Sequence, residues 1–230
     1  HNDACLVTNY NAIKDVVAKR YLNQFETLIR SNAAVPILEK IVAKSSSYLN
    51  NLVLSINPFG FRTYFRGSDK GDVSILTSKG WAKVYRSEIS KGNEYVDMYK
   101  IIVGRFVPSN GEMSVKPGDG YRVLTEPQIL LPEQINTETY IDTAVFATHE
   151  EAINYKKYLC SKFARYLLRQ GVTSVNVTRE CFAFVPIQDF TNQSDINWSE
   201  SVPNIDKQLY AKYNLSEDEI EFIEKMIKPM

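Results

Sequence analysis

The chain has no Pro-Pro pair, only two histidines and three cysteines, and no apolar run approaching the ~20 residues that cross a bilayer. No basic-then-apolar leader is present, so nothing points to export, and the expected location is the cytoplasm. Cys5, Cys160 and Cys181 are odd in number and far apart, which reads as reduced thiols and not a disulfide framework. With His1 and His149 as the only imidazoles, a Cys/His metal site lacks ligands at workable spacing. A Gly-Lys-Ser/Thr phosphate loop is also missing, since Lys91-Gly92 runs the other way round. What remains is ordinary for a globular protein: 230 residues, 44% hydrophobic and 23% charged.

Net charge is zero, but its distribution is not even. Residues 58–125 carry eleven Lys/Arg against seven Asp/Glu, and residues 191–230 carry four against eight. A basic face on the middle of the protein is one reading of that surplus, and a solvated mixed surface is the other. The first residue is histidine, which we read as the start of a piece excised from a longer protein.

Along the chain, apolar residues at helical spacing over 11–30 (Ile13, Val16, Val17, Tyr21, Phe25, Leu28, Ile29) predict a helix. A second is expected from Pro36, burying Ile37, Leu38, Ile41 and Val42, and a third over Tyr48–Ile56, so 1–57 reads as a helical front. Glycine-punctuated apolar runs then predict strands at 73–76, 81–86, 99–103, 121–124 and 139–146. Gly118-Asp-Gly120 reads as a hairpin turn. Thr148 with Glu151 opens a long helix over 149–170, closed at Gly171, and a strand pair at 174–177 and 182–185 follows. Helices at 206–213 and after Ser216 complete a tail over 191–230. The expected fold is α+β, a twisted, mostly antiparallel β core over 58–190 with flanking helices.

Catalytic patterns are missing from this sequence. Asp97-Met-Tyr-Lys100 is the nearest approach to a nuclease triplet, but its spacing puts the two side chains on opposite faces of a strand. His149 sits in a helical first turn beside Glu150 and Glu151, a surface position more than a general base. The binding signal is stronger. Asn57-Pro58-Phe59-Gly60-Phe61-Arg62-Thr63-Tyr64-Phe65-Arg66-Gly67 combines four aromatics with two arginines, types that stack on bases and fork onto phosphates. If 61–66 is extended, Arg62, Tyr64 and Arg66 share one face while Phe61, Thr63 and Phe65 share the other. A plain strand with a solvated charged face is the alternative. Trp81, Lys83 and Tyr85 alternate with Ala82, Val84 and Arg86, leaving open which face is core.

From Pro58 onward an ordered series resembles the C-terminal target-recognition domain of type IIG-like restriction–modification enzymes with adenine-specific DNA methyltransferase activity. The series runs Pro58-Phe-Gly-Phe-Arg-Thr63, Tyr99–Val103, Ile135–Tyr140, Phe146 with Glu150-Glu-Ala152, Tyr158 to Arg165, Val177-Thr178, Phe184-Val-Pro186, and Leu209-Tyr through Ile227-Lys-Pro-Met230. Asn57-Pro-Phe is not the family's Asn-Pro-Pro-aromatic catalytic grip, since the second proline is missing, and no methyl-donor loop is present. The resemblance therefore implies recognition of double-stranded DNA without catalysis, next to an upstream methyltransferase or nuclease core of the same polypeptide. It implies no cofactor in this chain, S-adenosylmethionine for the upstream part, and Mg2+ where the parent also cleaves. Candidate DNA contacts are Arg62, Tyr64, Arg66, Lys79, Lys83 and Arg86, with the basic helix 156–169 touching phosphates or packing on the upstream core. The rival from another class is a protein-interaction module that docks a partner subunit through the aromatics.

Overall fold

The computed structural model describes residues 4–9, 16–108 and 120–230. Two strands, β1 (Cys5–Asn9) and β2 (Val16–Arg20), form an antiparallel ribbon, followed by helix α1 (Ala34–Lys44). Next come β3 (Val73–Thr77), β4 (Gly80–Val84), the one-turn helix α2 (Asn93–Val96) and β5 (Tyr99–Gly104). Then follow β6 (Gln128–Leu130), β7 (Gln134–Asn136), β8 (Tyr140–Phe146), α3 (His149–Cys160), α4 (Lys162–Gly171), α5 (Val202–Lys212) and α6 (Glu217–Met226). Strand order is β4-β3-β7 in one three-stranded sheet and β6-β5-β8 in the other, and among the described strands only the β3–β7 pairing is parallel. The fold is α+β with antiparallel-dominated sheets.

Two cores organise these elements. The larger joins α1, the β6-β5-β8 sheet and α3 to α6, with Leu38, Ile101, Tyr155, Phe163, Leu209 and Ile223 all fully buried. The smaller is a lobe built on β4-β3-β7, where Phe59, Val73, Ile75, Val84, Val96 and Ile135 are buried together. Pairing explains which face is inside: Val73 faces Val84 and Ile75 faces Ala82 on the core side, and Lys83 and Trp81 fall on the other. The chain enters this lobe through Asn57, whose φ of 59° is left-handed, a conformation asparagine tolerates better than most residues.

Several expected elements are replaced. The helix over 11–30 is not formed: 11–15 lie outside the described residues, Val16–Arg20 is a strand, and 21–33 run in turns. Val16 and Val17 are β-branched, and Cys5–Asn9 offers them a partner, so strand pairing wins over helical spacing. Val17, Tyr21 and Leu28 end exposed, and of that stripe Ile29 is buried while Phe25 packs edge-on against Phe184. Tyr48–Ile56 holds a single 3-10 turn, Leu49–Asn51, and in α1 Val42 is exposed while Ile37, Leu38 and Ile41 are buried. Residues 121–124 are not a strand: the Leu124 amide donates to the Arg122 carbonyl across Val123, whose φ is 71°, a tight and strained three-residue turn. The pair at 174–177 and 182–185 gives way to a bridge from Asn176 to Phe106 and a 3-10 turn over Arg179–Phe182. Of Gly118-Asp-Gly120 only Gly120 lies among the described residues.

The long helix over 149–170 is two helices. Ser161 is extended (ψ 148°), ends α3 and caps α4, with its Oγ accepting from the Ala164 amide at 3.0 Å. Asp206 of α5 accepts from the Lys162 and Phe163 amides at 3.0 and 2.9 Å, so the first free donors of α4 are met inside the protein. Gly171 ends α4 for a different reason than a left-handed cap. A Cβ there would stand 2.6 Å from the Cys181 carbonyl oxygen, which is backbone and cannot step aside. Gly171→Ala is accordingly expected to cost about 1–3 kcal/mol by overpacking, read as a drop in the denaturation midpoint.

Candidate nucleic-acid interface

All six residues proposed from sequence lie on the small lobe, but not as a strand face. The Phe65 amide donates to the Arg62 carbonyl at 2.9 Å, so 62–65 is a turn. Glycine and the two phenylalanines explain the bend. Phe61 and Phe65 meet with ring centroids 4.5 Å apart and turn into the small core, which throws Tyr64 to the apex, 77% exposed. An Arg-Tyr-Arg row on one strand face does not exist: a strand would hold the two rings on one face but about 13 Å apart, and the turn at 62–65 instead brings them into contact.

Arg62 and Arg66 have different jobs. The Arg62 guanidinium pairs with Glu138 at 3.1 Å, and the same carboxylate accepts from the Thr63 amide at 3.3 Å, tying the turn to the segment between β7 and β8. Arg66 Nη1 instead donates to the Thr63 carbonyl at 2.9 Å and to Ser78 Oγ at 3.3 Å. That second bond leans the 62–66 turn on the β3–β4 tip, where Thr77 Oγ1 donates to the Gly80 carbonyl at 2.8 Å. Tyr64, Arg66, Lys79 and Trp81 therefore gather at one end of the lobe. Lys83 follows on the outward face of β4 between Trp81 and Tyr85, which are 53% and 52% exposed.

Arg86 does not join them. It lies beyond the other end of β4, which rises about 13 Å over its length. There it forks onto Asp97 at 2.8 and 2.5 Å, and this hydrogen bond holds the Asp97 carboxyl below its usual range. Among the described residues, no carboxylate lies within ion-pair distance of Arg66, Lys79 or Lys83.

The basic surplus of the sequence is redistributed by folding. Residues 58–97 and 131–139, which build the small lobe, hold seven Lys/Arg and seven Asp/Glu, because Glu133 and Glu138 return with β7. Lys100 is buried, and Arg105 and Arg122 sit outside this lobe. The basic helix is absorbed as well. Arg165 is fully buried and donates to the Cys160, Ser161 and Arg122 carbonyls, and Lys157 donates to the Trp198 carbonyl at 2.6 Å. Lys162 pairs with Glu224 at 2.5 Å, Lys156 with Glu126 at 3.6 Å, and Arg169 lies 3.5 Å over the Tyr121 ring. These five cations serve the interior and the packing of 120–124 and α6, so a phosphate-facing wall is not what they form.

Other sequence readings find their places. His149 is exposed and stacks on Tyr99 at 5.2 Å. Asp97 lies before β5 and is taken by Arg86, while Lys100 points into the protein and feels Asp97 only through space. Gly120 packs against the Lys225 and Met226 carbonyls. No helix among the described residues is long and apolar enough to cross a membrane. Glu138, which fixes Arg62 from 76 positions away, carried no signal in sequence, because only the crossing between β7 and β8 brings it there. No protein-family model, curated protein or solved structure matches the chain.

Proposed function

We propose that the small lobe is the DNA-reading element of a target-recognition domain, from a bacterial cytoplasmic restriction–modification protein with adenine methyltransferase activity. Its partners are double-stranded DNA and an upstream catalytic core, which would hold S-adenosylmethionine and, where it cleaves, Mg2+. One observation carries the reading: among the described residues Arg66, Lys79 and Lys83 have no carboxylate within ion-pair distance, and they stand beside the exposed rings of Tyr64 and Trp81. Cations left unneutralised by the protein suit phosphate oxygens, and rings at a turn apex suit contact in a groove. Arg62 acts through Glu138 by fixing the turn, and Arg86 acts on its own lobe through Asp97.

The test is binding of a duplex followed by fluorescence anisotropy across a salt series. Arg66→Ala with Lys79→Ala is expected to flatten the log-affinity slope by ~0.9 for each phosphate that is no longer neutralised, while Arg86→Ala leaves it unchanged. An identical slope and affinity in the double variant would move DNA binding off this end of the lobe. A second reading is supported by the lobe's zero net charge and its three exposed aromatics: docking of a partner subunit. Docking predicts that Tyr64→Ala with Trp81→Ala abolishes an association that salt barely affects.

A further inference from the structure

A cavity of about 270 Å³ lies away from the aromatic end of the small lobe, where the chain leaves the large core. Residues 53–56, on the way to Asn57, form one wall, and residues 177–180 form the opposite one. Ile141 at the start of β8 and Arg105 just after β5 close the floor. Val53, Ile141 and Val177 are buried and apolar, while Arg105 and Arg179 bring two guanidiniums to the same space.

Both arginines are held by carbonyls, and Arg179 also feels the Glu180 carboxylate beside it without closing to an ion pair. Arg179 Nη2 donates to the Val53 carbonyl at 2.7 Å, and Arg105 Nη1 donates to the Glu138 carbonyl at 3.4 Å. Carbonyl bonds fix a guanidinium's position without cancelling its charge. No carboxylate lies within ion-pair distance of either arginine among the described residues. Glu180 is the one acidic residue of the lining, and its carboxylate is held below the usual range first by the Thr178 hydroxyl, then by its own amide, with the Arg179 charge adding to the lowering. The lining thus sums to one positive charge over apolar walls, the composition of a small-ligand site with a few converging polar groups.

We infer that this cavity binds a small molecule with an oxyanion group, carboxylate or phosphate, on a compact apolar body. The oxyanion meets the Arg105 and Arg179 forks, which match its planar or tetrahedral oxygens better than a lysine would. The apolar body rests on Val53, Ile141 and Val177. Glu180 lowers the affinity by repulsion, so the site is weaker than its two arginines alone would make it.

Phenyl phosphate, benzoate and inorganic phosphate are the probes, titrated calorimetrically into the full chain. Saturable binding of phenyl phosphate or benzoate is expected, with Arg105→Gln and Arg179→Gln each weakening it roughly tenfold. Arg179 also braces Val53, so Glu180→Gln supplies a readout that misfolding cannot imitate: several-fold tighter binding at an unchanged melting temperature. The assignment is overturned if neither aromatic probe binds, if inorganic phosphate binds as well as phenyl phosphate, or if Glu180→Gln leaves affinity unchanged or lower.

Discussion

Lys100→Met is expected to cost about 3–5 kcal/mol at pH 8, the range for stranding one member of a buried charged pair. Lys100 is fully buried at the start of β5, and its Nζ donates to the Tyr95 and Val96 carbonyls at 3.1 and 2.8 Å, at the end of α2. Asp142 of β8 is 2% exposed and accepts from the Asn136 amide at 2.9 Å. Lys100 and Asp142 sit on the paired strands β5 and β8, Asn136 reaches over from β7 of the other sheet, and the two charges act on each other through the interior without closing to ion-pair distance. Burial pushes Asp142 up to about 7, against the pull of Asn136 and Lys100, and pushes Lys100 down to about 8.

The sign of each shift sets the pH profile. Asp142 is raised from 3.8, so its contribution to stability is full below that value and is lost as pH rises through about 7. Lys100 is lowered from 10.5, so its contribution is full above that value and is lost as pH falls through about 8. Relative to a Lys100→Met/Asp142→Asn double variant, the wild type should therefore be least stable near pH 7–8 and gain on either side. At pH 5, where Asp142 is protonated, Lys100→Met loses only the two carbonyl bonds, about 1–3 kcal/mol. Urea unfolding across pH 5–9 measures both. A single-variant cost that does not change with pH would mean that Lys100 and Asp142 are not electrostatically coupled.

Asp206→Ala is expected to cost about 2–4 kcal/mol, because it uncovers a buried amide (Phe163) and a half-buried one (Lys162) at the start of α4. The carboxylate is 3% exposed and accepts from both the Lys162 and Phe163 amides. Burial raises its pKa to about 6 from 3.8, opposed by those two amides, with Glu224 adding to the rise and Arg165 opposing it. Its contribution is full below 3.8 and lost as pH rises through about 6, so the alanine variant should lose more at pH 4 than at pH 7.5. Thermal unfolding at the two pH values checks this, and an equal loss at both would assign Asp206 a cap that does not titrate. Asp206→Asn, which keeps one acceptor, should recover part of the loss.

Local rules were legible where one segment decided the outcome. Ser216 with Glu219 closes a capping box on α6, and Thr148 accepts from the Glu151 amide at the start of α3, both readable from four residues of sequence. The alternation around Ile75 and Ile101 gave β3 and β5, since a half-buried or buried strand is its own pattern. The candidate interface was legible in residue type but not in geometry. Arginine and tyrosine at 62, 64 and 66 read as a strand face, whereas the backbone turns at 62–65 and brings the Phe61 and Phe65 rings into direct contact.

Composition and short-range spacing, taken alone, determined an α+β chain with mostly antiparallel strands and aromatic-basic residues concentrated at 57–67. Such properties depend on neighbours within a few positions, and a sequence records neighbours directly. Only the tertiary structure decided which cations remain available. It buried Lys100 and Arg165, gave Arg62 to Glu138 and Arg86 to Asp97, and among the described residues left Arg66, Lys79 and Lys83 without a carboxylate at ion-pair distance. A charge's surroundings are set by segments that fold back from far along the chain, and at contact distance those partners outweigh any surplus counted in sequence.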